Sequence, residues 1–471
     1  MVFLDKLNAQ NGRWITLFFV GIFLVGCFRQ STSPVTEVNG EPYNVILVDS
    51  VWAGHPVGFC LYTFGEDQYV TYYNAQRNLV LGKRNLTDSV FQLFVFPPTD
   101  RKTHFGTSTV LEWDSHNSTT LAVDRKGYIH LAANMHNHPI TYFRSQRPGD
   151  ITSMKQYYSM VGSNEKRVTY PHFNKTMTGE LIFHYRTGGS GNGDEIYNKY
   201  DEDKQTWNRL LDTSLTDGQG LANAYQTSPI IGPDGYYHIY WVWRDSPDCS
   251  TNHDLSYIKS PDLIHWYTVG GEAIELPVTM NHKNVIVDPI PVKGGIINLA
   301  AKLNWDKNHR PMMVYHKYDE KGDLQFYGAK WMGDQWKIKQ ITNWDYRWEF
   351  KGNGSISNEV ILKSFLTVKN GFEINYYHIK YGNGRLTVND DFELIEEERN
   401  LPNKVEIYSL ESDFPGMEIR SRKDEGQSPN NGIKYQLKWE TLPANRDRKI
   451  PKPWPNPSNL YVFELNTKVD E

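Results

Sequence analysis

A short β-rich phrase ending in a polar side chain returns five times along the chain: "VLGKRN" to Asn85, "ITYFRS" to Ser145, "IYNKYD" to Asp201, "LSYIKS" to Ser260 and "MVYHKYD" to Asp319. Successive copies lie 60, 56, 59 and 59 residues apart. A steady period of this size marks a repeat architecture, in which one supersecondary unit is copied because no single copy can bury its own apolar face. Ahead of the phrases stand hairpin turns such as "DRKGYIH", "GPDGYYHIY" and "VKGGIIN", and after several comes a tryptophan strand, as in "SPDLIHWYTV" and "GDQWKIKQI". With the phrase as the third strand, each unit has four antiparallel strands. Repeated radially, such units hide their edges in an all-β, seven-bladed β-propeller. The units fall at 50–98, 112–160, 168–217, 222–278, 282–343, 352–400 and 405–466; six units with a C-terminal cap is the alternative. The composition agrees: 14% aromatic residues, 36 Gly and 24 Pro favour short strands and turns over helices.

Residues 1–26 read as a targeting segment. Lys6 and Arg13 flank the start of "WITLFFVGIFLVG", an apolar run of 13 residues, too short for an ordinary membrane helix. "LVGC" then resembles a bacterial lipobox, with Cys27 as the lipidated residue, 27–44 as a polar tether and 45–471 as one propeller domain. The expectation is an exported lipoprotein anchored at the cell surface; a plain secretory signal is the alternative. Cys60 and Cys249 alone remain, which excludes a disulfide framework. The formal charge is −5, and without Lys6, Arg13 and Asp5 it becomes −6. No basic tract suited to nucleic acid exists, so an anionic ligand must meet a local group of cations. No protein partner is implied.

In the propeller frame, first-strand starts and second-strand ends share one face. That face collects His116 and His136 from the second unit, Tyr170 and Arg186 from the third, Tyr225 and Arg244 from the fourth, and His282 from the fifth. Imidazoles, phenols and guanidiniums without a carboxylate pair are the wrong kit for ordinary glycoside hydrolysis. They suit β-elimination from a uronate, where Arg186 holds the sugar carboxylate, Tyr170 beside it ionises readily and exchanges a proton on one side of the ring, and His116 acts from the other. Cys249 and His253 in one loop, with His282 and Asp194, offer mixed ligands for a structural zinc ion; an inert buried Cys249 is the alternative. No organic cofactor is expected.

"WDSHNSTTLAVDRKGYIHLAANMHNHPITYFRS", "VTYPHF" and "YRTGGSGNGD" together resemble the seven-bladed ulvan lyases with BNR-type repeats, which cleave rhamnose and uronate polysaccharides of green algae. The likeness runs from about Val45 to Leu465. It implies that His116, His136, Tyr170 and Arg186 are catalytic, that Tyr225, Arg244, Asn117 and Asn134 line the sugar site, that the partner is an anionic algal polysaccharide, and that the product carries a 4,5-unsaturated uronate. Relatives of that family include propeller α-L-rhamnosidases, and "VWAGHPVGF" with His55 is similar to that branch, which keeps a glycosidase open as an alternative, as is a non-catalytic glycan-binding lipoprotein.

Overall fold

Strands form wherever β-branched and aromatic residues alternate between Gly, Asp and Asn turns, and in the computed structural model they assemble into seven antiparallel sheets. The structure describes residues 41–298, 300–402, 409–429 and 432–466. Among these, the only helical pieces are three 3₁₀ turns. The sheets follow one another along the chain, and the first four strands of the sequence after residue 59, Cys60–Phe64, Asp67–Tyr73, Leu79–Asn85 and Gln92–Val95, make the first. Apolar side chains pack between neighbouring sheets. Phe173, Phe183 and Trp207 of the third sheet form one such cluster, with Phe173 and Trp207 meeting Tyr142 of the second.

The repeated phrase owes its form to two local devices. In the second sheet Asp124, fully buried, accepts the backbone N–H groups of Lys126 and Tyr128 at 2.9 Å each and so closes the hairpin at Gly127 (φ +85°). Its other oxygen faces His130 Nε2 at 3.4 Å, while His130 Nδ1 meets the Tyr142 hydroxyl at 2.7 Å. The fourth sheet copies the chain of contacts as Asp234, His238 and Tyr257. Burial lowers the pKa of both histidines, so each is a neutral structural bridge. At the far end of the phrase the polar residue caps the turn into the fourth strand: Asp201 accepts from Asp203 and Lys204, and Ser260 from Asp262 and Leu263.

Three expectations are corrected. The tether does not reach residue 44, because Glu41–Val51 is a strand that pairs antiparallel with Ser458–Asn466, giving the last sheet an outer strand from the other end of the chain. That strand has no partner in its own unit, so a search for period could not find it. In the fifth unit, "MVYHKYD" belongs to the second strand, Pro311–Tyr318, and the first strand is Lys302–Trp305 rather than one starting at His282. Residues from 282 instead make a 3₁₀ turn and a short strand, Ile286–Asp288, that pairs back onto the fourth sheet. Finally, the hairpin of the second unit stops at Ala133. His136 opens a separate strand, His136–His138, that pairs with Val168 and Thr169 of the third sheet.

Asp124→Ala removes the acceptor of both turn hydrogen bonds and leaves His130 facing an unfilled polar gap. It is expected to destabilise the protein by about 2 kcal/mol, read as a shift of the urea midpoint, whereas Asp203→Ala at an exposed turn should leave that midpoint nearly unchanged.

Candidate active site

His116 and His136 meet, although they lie 20 positions apart. Their rings stack with centroids 4.2 Å apart, and Tyr170 closes on both at 5.8 and 6.2 Å. Two irregularities bring this about. The strand His136–His138 leaves its parent sheet and carries one imidazole toward the third sheet. Tyr170 sits at a bulge in Val168–Lys175, where the register slips between Thr169 and His172, and its backbone is left-handed at φ +53°. A bulge re-aims a side chain, and a left-handed tyrosine stores strain of order 1 kcal/mol that surrounding structure must hold.

A single carboxylate ties the imidazoles together. Asp114 takes His116 Nδ1 at 2.9 Å and His136 Nδ1 at 2.5 Å. His116 Nδ1 also lies 3.4 Å from Asp447, whose carboxylate accepts Ser115 and Ser355 hydroxyls at 2.6 and 2.7 Å. Burial alone would lower the pKa of His116, but hydrogen bonds to Asp114 and Asp447 overcome it and raise the imidazole to about 9. Burial likewise opposes ionisation of Asp114 and Asp447, yet the histidine contacts hold both well below the usual carboxylate range. Neither aspartate was singled out in the sequence. Asp114 stands two residues before His116 in "WDSH", a visible signal; Asp447 lies in the proline-rich loop before the last strand, where only the fold reveals it.

The phenols differ in character. Desolvation and the neighbouring Tyr225 push Tyr170 up, so it keeps its proton. Tyr225 is pulled down against its own burial by Arg186 and Arg244, whose guanidinium carbons lie 5.5 and 5.1 Å from its ring. The two guanidiniums thus favour ionisation of Tyr225, whereas the sequence singled out Tyr170 beside Arg186. The Tyr225 hydroxyl also meets Ser190 Oγ at 2.8 Å and Arg244 Nη1 at 3.3 Å. Arg186 is 2% exposed beneath the rings of Tyr170 and Tyr225, and its Nε and Nη1 have no acceptor among the described residues. Arg244 spends its remaining donors on the carbonyls of Ser246 and Pro247.

These groups surround a cavity of about 570 Å³, lined among others by His116, His136, Tyr170, Tyr225, Arg244 and Asp447. Lys302, unrecognised in the sequence, lines it too, and its ammonium has no hydrogen-bonded or ionic partner among the described residues; burial and then Lys423 lower its pKa. Asn117 and Asn134 do not line it. Both are fully buried, and Asn134 donates to the carbonyls of Ser108 and Val110, pinning a loop rather than facing a ligand. His55 is buried in the link before the first sheet, accepts the Trp52 indole N–H at 2.9 Å, and is lowered by burial to about 4. It is a neutral packing residue.

The expected zinc ligands do not fit one ion. His253 is held on both nitrogens by Asp245 and Asp254, at 2.9 and 3.1 Å. Asp194 pairs with Asp217 and is raised, by burial and then that neighbour, to about 6. His282 receives the N–H of Thr279, and burial raises the Cys249 thiol away from the thiolate a metal needs. The grouping of ligand atoms found among the described residues is instead Asp114, His116 and His136, within 4.8 Å of one another, where the carboxylate already occupies both Nδ1 atoms. Cys27 lies outside the described residues.

Because its folded pKa is raised, charged His116 stabilises the fold fully below the free-imidazole value near 6.5, and that contribution fades as pH climbs through about 9. Histidine-selective NMR should find this titration near 9 and see it move toward 6.5 in Asp447→Asn. An unmoved titration would exclude Asp447 as its partner.

Known proteins share both sequence and fold with this chain. Ulvan lyase, long isoform, of Glaciecola sp. (strain KUL10) is 26% identical over 228 residues, 40% of this chain and 22% of the relative. Ulvan lyase, short isoform, of Alteromonas sp. (strain LOR) is 25% identical over 277 residues, 47% of this chain and 52% of the relative. The matched region thus spans from about a fifth to about half the length of these curated relatives. In fold, the chain is similar to the crystal structure of polysaccharide lyase Uly1, with a TM-score of 0.63 at 14% identity, covering 90% of this chain and 99% of that one. It is also similar to a PL25 ulvan lyase, with a TM-score of 0.56 at 14% identity over 89% and 95%. A model described as the BNR repeat-containing family matches residues 67–344, more than half of the sequence, and the chain therefore belongs to that family.

Proposed function

We propose that this chain is a polysaccharide lyase that cleaves an ulvan-type rhamnose and uronate polymer by β-elimination, leaving a 4,5-unsaturated uronate at the new end. The observation that carries the reading is the charge state of the site. Hydrolysis by two carboxylic acids needs one of them kept protonated by a raised pKa. Asp114 and Asp447 are both held well below the usual range and so cannot donate a proton. Elimination needs something else: a base for the C5 proton, an acid for the leaving O4, and positive charge beside the sugar carboxylate as it gains electron density. Tyr225, drawn down by two guanidiniums, is the best base; Tyr170 and His116 both hold protons near neutral pH. His116, Lys302 and Arg244 supply positive charge at the cavity wall, and Arg186 supplies it from below the phenol rings.

The named activity of the relatives and a solved PL25 ulvan lyase bound to -[GlcA(1-4)Rha3S]- support the substrate class. The seven sheets are read as the blades of a propeller, mostly of four strands, with the ring joined where Glu41–Val51 meets Ser458–Asn466. The leader and Cys27 support an exported, lipid-anchored enzyme. Metabolic labelling with tritiated palmitate should mark the wild type and not Cys27→Ser; equal labelling would rule the anchor out.

Incubation with ulvan should raise the ultraviolet absorbance of the unsaturated uronate. New reducing ends without absorbance would point to hydrolysis, and binding without either to a glycan-binding protein. Tyr170→Phe and Tyr225→Phe should each lower kcat by roughly 10²–10⁴-fold with substrate affinity nearly kept, since only a hydroxyl is lost. A variant that keeps its kcat is excluded from proton transfer.

A further inference from the structure

His316 lines the same cavity as His116 and His136 but comes to it from the fifth sheet, on the strand Pro311–Tyr318. It is 1% exposed, and its ring is fixed on several sides. Nδ1 lies 2.7 Å from the Gly295 carbonyl oxygen, and the ring packs against Trp348 and Phe350 at 5.9 and 6.5 Å. Gly295 is left-handed at φ +87°, and a Cβ there would stand 2.6 Å from Tyr318, so a residue with a side chain could not carry that carbonyl to the ring. A carbonyl oxygen only accepts, so Nδ1 holds the proton of this bond. Burial lowers the imidazole to about 4, which keeps it neutral near pH 7 and leaves Nε2 a bare lone pair. Nε2 has no hydrogen-bond partner among the described residues. On the same face stands Lys302, whose ammonium has none either. It pairs with Val314, two residues before His316, so the two side chains are diagonal neighbours across adjacent strands.

A fixed acceptor beside a mobile donor matches two adjacent hydroxyls: one donates to Nε2 and its neighbour accepts from the ammonium. We infer that His316, with Lys302, holds the vicinal diol of the reacting uronate and so sets the orientation in which that sugar enters the cavity. The inference rests on the lyase reading and deepens it. Elimination breaks the bond at O4 and removes the proton on C5, which bears the carboxylate, while the chain continues through O1. The hydroxyls left free are therefore those on C2 and C3. In a six-membered ring these two carbons lie across from C5 and the ring oxygen. A uronate that turns C5 and its carboxylate to the tyrosines and arginines of the third and fourth sheets thus turns its diol away from them, and the fifth sheet offers the wall of matching chemistry. Lysine has three donors, so one can serve the hydroxyl while the charge stays in the cavity.

The probes are methyl glucuronide and its 2-O-methyl and 3-O-methyl ethers, which carry no leaving sugar at O4 and so bind without turnover. An ether keeps the oxygen and removes the hydrogen, so it silences a hydroxyl that donates. By calorimetry, wild type should bind one of the two ethers about tenfold more weakly than the parent glycoside. His316→Asn keeps an N–H for the Gly295 carbonyl but has no acceptor at the Nε2 position, so this preference should fall toward one. Lys302→Met should weaken the parent glycoside about tenfold and keep the preference. No ether preference in wild type, one of equal size in His316→Asn, or wild-type affinity in Lys302→Met overturns the contact. Should His316→Asn fail to fold, histidine-selective NMR of the wild type decides: the parent should shift the His316 Nε2 resonance and the weaker ether should not, and equal shifts overturn it. If ulvan yields no unsaturated product the lyase reading fails, while the ether pattern still upholds or overturns the diol contact.

Discussion

The pairing of Glu41–Val51 with Ser458–Asn466 is the contact on which the rest of the molecule depends. It fastens the last sheet with a strand from the opposite end of the chain, and parallel bridges from Leu61 to Asp424 and Phe64 to Gln427 then join that sheet to the first. With the ends held, the loop ahead of Ser458 is fixed over the cavity. Asp447 can therefore grip Ser115, Ser355 and His116, drawn from two separate sheet connections, at one point. Architecture and chemistry meet in a carboxylate that touches no strand partner of its own.

Within the site, charge is distributed by hydrogen bonding more than by composition. Two aspartates favour the charged form of His116, and two arginines favour ionisation of Tyr225 against its burial, while burial and Tyr225 disfavour ionisation of Tyr170. Similar phenols a ring's width apart are thus sorted into opposite tendencies by the cations each faces: opposite charge nearby favours the ionised form, and burial resists it.

Much of this was legible from the letters. The period of the repeat located the third and fourth sheets to within one residue of their starts and the second and sixth to within eight, because turn aspartates such as Asp124 and Asp234 and phrase-ending side chains such as Asp201 and Ser260 make local hydrogen bonds that recur with the unit. The reading failed where pairing is not local. The closing strand has its partner at the far end of the chain. The fifth unit opens with a stretch that folds back on its predecessor, which displaced His282 from the face it was assigned to. Among site residues, His116, His136, Tyr170, Arg186, Tyr225 and Arg244 do converge, but through the separate strand of His136 and the bulge at Tyr170 rather than at the strand ends the repeat predicted. Asn117 and Asn134 do not line the cavity, because both lie in loops outside the strands with their side chains fully buried. Asp447 and Lys302 carry no local pattern, and no reading of short stretches could have joined them to His116.

The grip of Asp447 on His116 also governs when the site comes into being. Ribosomes make the imidazoles early and the aspartate late, so a growing chain holds two histidines without the second carboxylate that keeps one of them charged. Proton chemistry and sheet assembly are thus completed by one segment, Asp447 through Asn466.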